Sequence, residues 1–201
     1  MRALILGCSL KPTPETSNTE VLAEVVAQAL QEKGAETELV RVVDYDVHPG
    51  VSNDEGAGDE WPPIREKVLA ADILVIATPT WLGQQSSVAK RVLERLDAMI
   101  FETDDEGHPP AYNKVAGVVV TGTSDGAHWV AAEVEAALIE IGFTVPGQSW
   151  TYWNIGPGGG KNYTETEQGH DWSESTGKVA AANLYAVAEA LLANPIPAPP
   201  K

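Results

Sequence analysis

The chain has 201 residues, with 43% hydrophobic and 21% charged residues, which suits one globular domain spanning residues 1–201. Its net charge of -16 argues against nucleic acids and anionic membranes as partners, because both bind basic surfaces. We find no apolar run of membrane-spanning length, and Met1-Arg2 leads directly into an apolar strand, so we expect a cytoplasmic protein. The single cysteine, Cys8, excludes an internal disulfide, and no Cys/His spacing predicts a metal site.

The first thirty residues predict a strand, a loop and a helix. Ala3 to Leu6 form a short apolar run closed by Gly7, as in a strand buried on both faces. From Val21 to Leu30 the apolar residues recur at helical spacing. The loop between them is rich in small hydrogen-bonding side chains: Ser9, Thr13, Thr16, Ser17, Asn18 and Thr19.

This loop has the chemistry of an anion site. The first turn of a helix offers unpaired N–H groups and a partial positive charge, which together favour a phosphate. The loop carries neither the Gly-Lys-Ser/Thr of a P-loop nor a GxGxxG motif, so hydroxyl groups would supply the donors. The alternative is that Ser17 or Asn18 only caps the helix.

The remaining chain alternates strands and helices. We predict strands at residues 37–43, 72–78 and 115–121 and a fifth near Phe143, with helices at 61–69, 88–100, 127–141 and 176–192. Residues 150–175 are interpreted as an extended loop, either a mobile lid or a subunit contact, in which Trp153 either covers a bound ring or anchors the loop. Residues 195–201 are predicted to be a flexible tail.

Alternating strands and helices predict an α/β fold, a flavodoxin-like three-layer sandwich. We expect a five-stranded parallel sheet of order 2-1-3-4-5 with helices on both faces. Three loops of unusual composition each follow a strand, and ligands of such sheets bind at the carboxyl ends of the strands. A phosphate loop beside two aromatic-bearing loops, which contain Trp81 and Trp129, suits a flat ring with a phosphate tail, such as FMN.

Three segments carry a family resemblance over roughly residues 1–147. TPTWLGQQSS, from Thr78 to Ser87, resembles the isoalloxazine loop of the flavodoxin-like NAD(P)H-dependent FMN reductases, including NAD(P)H:quinone oxidoreductases. TGTSDGAHW, from Thr121 to Trp129, resembles their second flavin loop, and Ser9 with Ser17-Asn18-Thr19 resembles their phosphate loop. The segment between Ser9 and Ser17 is longer than in the family, so Lys11 and Thr13 are left out of the predicted site.

The resemblance implies an enzyme that takes hydride from NAD(P)H onto FMN and passes electrons to a quinone or similar small-molecule acceptor. It also implies a homodimer or homotetramer. His128 is the candidate catalytic side chain, as a proton donor, although a structural imidazole is an equal alternative. The implied FMN-binding residues are Ser9, Ser17, Asn18, Thr19, Thr78, Pro79, Thr80, Trp81, Leu82, Gly83, Thr121, Gly122, Asp125, Gly126 and His128.

Two other functions are compatible with the same residues. An electron-transfer protein like a flavodoxin would bind FMN without its own NAD(P)H site, and its acidic surface would suit a basic redox partner. A regulatory module would keep the fold without turnover. Neither the nicotinamide preference nor the physiological acceptor follows from the sequence.

Overall fold

A parallel sheet forms the centre of the computed structural model, which describes residues 1–200. Its strands are β1 (Arg2–Gly7), β2 (Glu36–Arg41), β3 (Ile73–Trp81), the two-residue β4 (Gln84–Gln85), β5 (Val115–Gly122) and β6 (Trp150–Asn154). The helices are α1 (Asn18–Glu32), α2 (Trp61–Ala70), α3 (Ser87–Leu96), α4 (Ala127–Ile141) and α5 (His170–Ala193). Short 3-10 turns lie at Val42–Asp44, Asp97–Phe101 and Tyr163–Glu165.

The order of the strands confirms the predicted fold. Five parallel strands lie in the order β2-β1-β3-β5-β6, and β4 pairs antiparallel with the end of β3. Without β4 this is the flavodoxin-like order 2-1-3-4-5. The order reverses between β1 and β3, so a crevice opens where their carboxyl ends diverge.

Each sheet face is covered by its own set of helices. Leu4, Leu6 and Ile76 pack with α2, α3 and α4, whereas Ile5 and Val75 pack with α1 and α5. Neighbouring residues of a strand point to opposite faces, which explains why the central strands are apolar at every position. The sheet is therefore a rigid platform whose carboxyl edge presents the loops.

The prediction for the fifth strand is wrong. Near Phe143 the sheet has only a single bridge, between Val115 and Thr144, and the strand itself is β6, inside the predicted extended loop. Thr151 and Trp153 point inward on β6 and alternate with half-buried neighbours. Aromatic and β-branched residues favour an edge strand, and this period-two signal was hidden by the glycines that follow.

The last helix begins at His170, six residues before the predicted start. Gly169 takes the left-handed conformation (φ 78°) before the first turn, and the Ser173 hydroxyl donates to the carbonyls of Gly169 and His170. In these first turns Asp171 and Trp172 are exposed whereas the polar Ser173 is fully buried, so polarity was a poor guide to the helix start. The true connection between β6 and α5 spans residues 155–169, and we call it the 155–169 segment.

The flexibility of residues 195–201 stays a prediction, and Lys201 lies outside the described residues. Ile196 donates its N–H to Asn113 Oδ1 at 2.6 Å, and Asn113 Nδ2 donates back to the Ile196 carbonyl at 3.2 Å. This two-way pairing holds the tail to the loop before β5. Across residues 1–200, no helix is both long enough and apolar enough to cross a membrane.

Candidate functional site

A cleft opens at the carboxyl ends of β1, β3 and β5, where the three predicted loops meet. Its empty space, including the open mouth, is about 610 Å³. Its lining residues are Ser9, Leu10, Lys11, Asn18, Thr19, Pro79, Thr80, Trp81, Thr121, Gly122, Thr123, Trp153, Asn162 and Tyr163. Eight predicted site residues are therefore brought together: Ser9, Asn18, Thr19, Pro79, Thr80, Trp81, Thr121 and Gly122.

The first loop and α1 form one end of the cleft. Ser9 Oγ accepts the N–H of Lys11 at 3.1 Å, which folds the loop back on itself. Thr19 and Thr121 share a buried hydroxyl–hydroxyl hydrogen bond of 2.6 Å that ties α1 to β5. Ser17 caps α1 by accepting the N–H of Glu20 and does not line the cleft, as the capping alternative predicted.

The long segment between Ser9 and Ser17 is held from the end of β2. Arg41 Nη1 donates to the Glu15 carbonyl at 2.8 Å, while its other guanidinium nitrogens bind the Glu20 carboxylate. The hydrogen bond with Glu20 raises the pKa of Arg41. Asp44 accepts the N–H and hydroxyl of Thr13 at 2.8 and 2.6 Å, and the hydroxyl is the main cause of the lowered pKa of Asp44. The loop is thus preorganised by its neighbours.

The second loop carries an unsatisfied polar atom. Thr80 is 7% exposed, lines the cleft, and its Oγ1 has no hydrogen-bond partner within residues 1–200. By contrast, Thr78 Oγ1 accepts the N–H of Ser86 and lies beneath the loop, outside the lining. Trp81 is 56% exposed at the mouth. Leu82 projects fully into solvent with a left-handed backbone.

The third loop reaches the second one through glycines. A Cβ on Gly122 would lie 3.0 Å from Thr80 Cβ, and a Cβ on Gly126 would lie 2.8 Å from Gly83 Cα. Gly126 also has a left-handed backbone (φ 104°) before α4. Gly83, Gly126 and the exposed Asp125 border this contact without lining the cleft.

The candidate catalytic residue, His128, lies outside the lining. It is exposed on α4, and its ring packs 4.8 Å from both Trp150 and Tyr152. Trp172 continues the same group, 4.7 Å from Tyr152. These four rings, which we call the aromatic cluster, form a surface at the β6 edge of the sheet.

Six lining residues were absent from the predicted site: Leu10, Lys11, Thr123, Trp153, Asn162 and Tyr163. Lys11 had been left out because of the loop length, although it supplies a cation at the cleft. Trp153 anchors the segment, as one alternative predicted, because its Nε1 donates to the Gln168 carbonyl at 2.7 Å, and it also lines the cleft. No local pattern identifies Asn162 or Tyr163, because only the tertiary fold brings them to this place.

The donor set fits FMN. Ser9, Asn18, Thr19 and Lys11 place hydroxyl, amide and ammonium groups beside the N-terminus of α1, where a phosphate is favoured. Trp81 offers an aromatic surface at the mouth, and the Thr80 hydroxyl has no hydrogen-bond partner within residues 1–200. The lining therefore contains groups suited to a phosphate and groups suited to a flat ring.

Comparisons with known proteins relate this chain to proteins named for flavins. The family model of the NADPH-dependent FMN reductases matches residues 1–157. The 8-demethyl-8-aminoriboflavin-5'-phosphate synthase of Streptomyces davaonensis is 41% identical over 175 residues, 82% of this chain and 68% of that protein. A crystal structure of RosB with bound 8-demethyl-8-formylriboflavin-5'-phosphate superposes with a TM-score of 0.90 at 36% identity, covering 98% of this chain and 82% of that one.

A third relative shows that similar sequences occur within longer proteins. A Mycobacterium bovis protein named divalent metal cation transporter MntH is 35% identical over 200 residues, which are 96% of this chain. The chain spans only 29% of that protein's length, so its name says nothing about the matched part.

Proposed function

Because this chain belongs to the NADPH-dependent FMN reductase family, we propose that it binds FMN in the cleft, accepts hydride from NAD(P)H and passes electrons to a quinone or similar small acceptor. That it is an FMN-dependent oxidoreductase is supported by the family match together with the flavodoxin-like fold. The observation that carries the assignment of the cleft is the buried Thr80 hydroxyl, which belongs to a residue lining the same cleft as Asn18 and has no hydrogen-bond partner within residues 1–200.

In this proposal the protein holds the cofactor and excludes water. Asn18 and Thr19 bind the phosphate with Ser9, and Lys11 offsets its charge. The Thr80 hydroxyl forms a hydrogen bond with a polar atom of the flavin ring. Because Gly122 has no side chain, its backbone can lie close to Thr80. FMN, when bound, supplies the chemistry, because it accepts a hydride from a reduced nicotinamide and returns two electrons to an acceptor.

The exposed Trp81 supports a second aromatic ligand at the mouth. Its side chain is 56% exposed although large apolar side chains are usually covered, and it borders the open side of the cleft. A nicotinamide or a quinone is planar and would gain from contact with this surface.

A second candidate function is that a riboflavin 5'-phosphate derivative is the substrate itself. Two of the comparisons favour it: the Streptomyces davaonensis relative is named for the synthesis of an aminoriboflavin phosphate, and the RosB structure holds a formyl derivative. The same groups suited to a phosphate and to a flat ring would bind such a molecule. The two functions differ in whether the flavin leaves chemically unchanged.

The deciding experiment uses the purified protein loaded with FMN and freed of excess. Its absorbance is followed without air as NADPH or NADH is added and then a soluble quinone. A second sample is kept in air with an amine donor, and the mass of the flavin released from both samples is measured by mass spectrometry. We expect bleaching by the nicotinamide, recolouring by the quinone and flavin of unchanged mass.

Each alternative has its own outcome. Bleaching only by dithionite would identify an electron carrier and overturn the reductase proposal. A changed flavin mass would favour the second candidate. Failure to retain FMN, tested again by titration, would contradict the assignment of the cleft.

Assembly as a homodimer or homotetramer and a cytoplasmic location are also our proposals. The aromatic cluster offers a surface for contact between copies, since aromatic residues are enriched in interfaces. Light scattering coupled to size exclusion, with and without Trp172→Ser, measures the assembly directly.

A further inference from the structure

The 155–169 segment forms one wall of the cleft. It lies almost wholly outside the region matched by the family model, which ends at residue 157. Asn162 and Tyr163 line the cleft, and the adjacent Thr164 contacts the first residue of α1. Features of this segment are therefore candidates for what distinguishes this protein within its family.

Thr164 forms two hydrogen bonds with the side chain of Asn18. The Thr164 N–H donates to Asn18 Oδ1 at 3.1 Å, and the Thr164 hydroxyl donates to the same oxygen at 2.9 Å. A backbone N–H can only donate, so the Asn18 atom facing it must be the carbonyl oxygen. Both lone pairs of that oxygen are used, which leaves the Asn18 amide NH₂ group to donate elsewhere.

The Thr164 donors are themselves fixed. Tyr163–Glu165 form a 3-10 turn in which Asn162 and Glu165 cap each other, with Asn162 N–H donating to Glu165 Oε2 at 2.9 Å. Tyr163 is buried, stacks on His170 with ring centroids 3.9 Å apart, and its carbonyl lies 2.9 Å from His170 Nε2. A turn anchored on both sides cannot rotate its N–H away without breaking these contacts.

We propose that Thr164 is a positioning residue that makes the cleft selective for the 5'-phosphate of a flavin. By holding Oδ1, it turns the Asn18 NH₂ group to donate to the phosphate at the N-terminus of α1. This inference rests on the proposed binding of a flavin phosphate. Besides the helix terminus, the buried and unpartnered Thr80 hydroxyl in the same cleft points independently to a ligand.

The test compares the affinities of FMN and riboflavin, which differ only in the phosphate. Thr164→Val removes the hydroxyl but keeps the branched shape, and Thr164→Ser keeps the hydroxyl. Asn18→Asp retains the acceptor for Thr164 and replaces the donor by a second oxygen. Thr166→Val is the matched control, since the Thr166 hydroxyl accepts only the N–H of Gln168 among its described hydrogen bonds.

We expect the unaltered protein to prefer FMN over riboflavin. Thr164→Val should lower this preference about 3- to 10-fold, the range for one hydrogen bond. Asn18→Asp should lower it more than about 10-fold by placing like charges together. Riboflavin affinity should stay unchanged in both, and Thr164→Ser and Thr166→Val should match the unaltered protein.

Three results would overturn the proposal. One is an unchanged preference in Thr164→Val beside a lost preference in Asn18→Asp, because the Thr164 hydroxyl would then have no part in positioning Asn18. Another is an equal loss of FMN and riboflavin affinity, which indicates a structural role. If the unaltered protein binds neither flavin, the proposed function fails as well, and this outcome is distinguishable because it needs no variant.

Discussion

Gly126 lies directly against Gly83, so the second and third loops of the cleft touch through their backbones: an added Cβ on Gly126 would lie 2.8 Å from Gly83 Cα. Gly126→Ala must push the second loop away in addition to straining a left-handed backbone. We expect FMN affinity to fall at least about 10-fold, because small misplacements of positioning groups are costly. Titration with FMN measures the change.

The control for this variant is Gly83→Ala. Gly83 has the same left-handed strain (φ 75°), but an added Cβ meets nothing within 4 Å. Its FMN affinity should fall less. Equal losses in the two variants would mean that strain, and not the contact between loops, explains the effect.

Thr80→Val should separate stability from binding. Removing a buried hydroxyl without a partner relieves a desolvation cost of about 1–3 kcal/mol, so the free protein should unfold at equal or higher urea concentration. FMN affinity should nevertheless fall about 3- to 10-fold as one hydrogen bond is lost. Urea unfolding and FMN titration measure the two effects.

Thr78→Val is the counterpart, because the Thr78 hydroxyl accepts the N–H of Ser86 at 3.1 Å beneath the loop. We expect it to lower the free energy of unfolding by roughly 1–2 kcal/mol. A destabilised Thr80→Val protein would show that Thr80 already has a partner in the free state.

Arg41→Met should loosen the phosphate loop. The substitution removes the donor to the Glu15 carbonyl and leaves Glu20 without its cation. We expect FMN affinity to fall about 3- to 10-fold, since the loop must be ordered on binding. Lys67→Met, which breaks the more exposed pair with Glu38, should leave FMN affinity unchanged; a similar loss there would point to a general effect of charge.

The buried pair of Asp59 and Arg95 should govern acid stability. Both side chains are 0% exposed, with Arg95 Nη2 2.7 Å from Asp59 Oδ2. Burial alone raises the pKa of Asp59, but hydrogen bonds from Arg95 and from three backbone N–H groups outweigh it, so the pKa lies far below its usual range. The stabilisation is complete above the ordinary carboxyl pKa of about 4 and is lost as the pH falls toward the folded value.

Asp59→Asn should therefore lower the free energy of unfolding by roughly 3 kcal/mol at pH 7. The difference from the unaltered protein should shrink at pH 3, where the unfolded carboxyl binds a proton. Asp46→Asn, at an exposed carboxylate, is the control and should change little. A constant difference from pH 7 to pH 3 would contradict the linkage.

His128→Phe tests the catalytic role implied by the family resemblance. The ring lies in the aromatic cluster, outside the cleft lining, so FMN affinity should stay within about 2-fold. Phenylalanine keeps the packing against Trp150 and Tyr152 but cannot carry a proton. A large loss of quinone turnover at unchanged FMN affinity would establish His128 as the proton donor.

The sequence predicted the strands and helices correctly where the local residue patterns were strong. Continuous apolar runs such as Leu74 to Ile76 fixed the central strands, and Gly142 marked the end of α4. β6 was missed because an edge strand is only half apolar and the glycines beside it favour a loop. The start of α5 was missed because the exposed first turns of a helix are polar.

Loop composition predicted cleft-lining residues only in loops that directly follow a strand of the sheet. Asn18, Thr80 and Gly122 could be foreseen because a parallel sheet brings the carboxyl ends of its strands to one edge. Asn162 and Tyr163 come from a segment that reaches the cleft across the top of α1, and no spacing in the sequence records that path.

The bond between Asn18 and Thr164 joins residues 146 positions apart. Chains leave the ribosome N-terminus first, so α1 is made well before Thr164. The end of the cleft at α1 is thus completed only after residue 164 has emerged. A chain that stops before Thr164 would keep the segment matched by the family model yet lack both hydrogen bonds to Asn18.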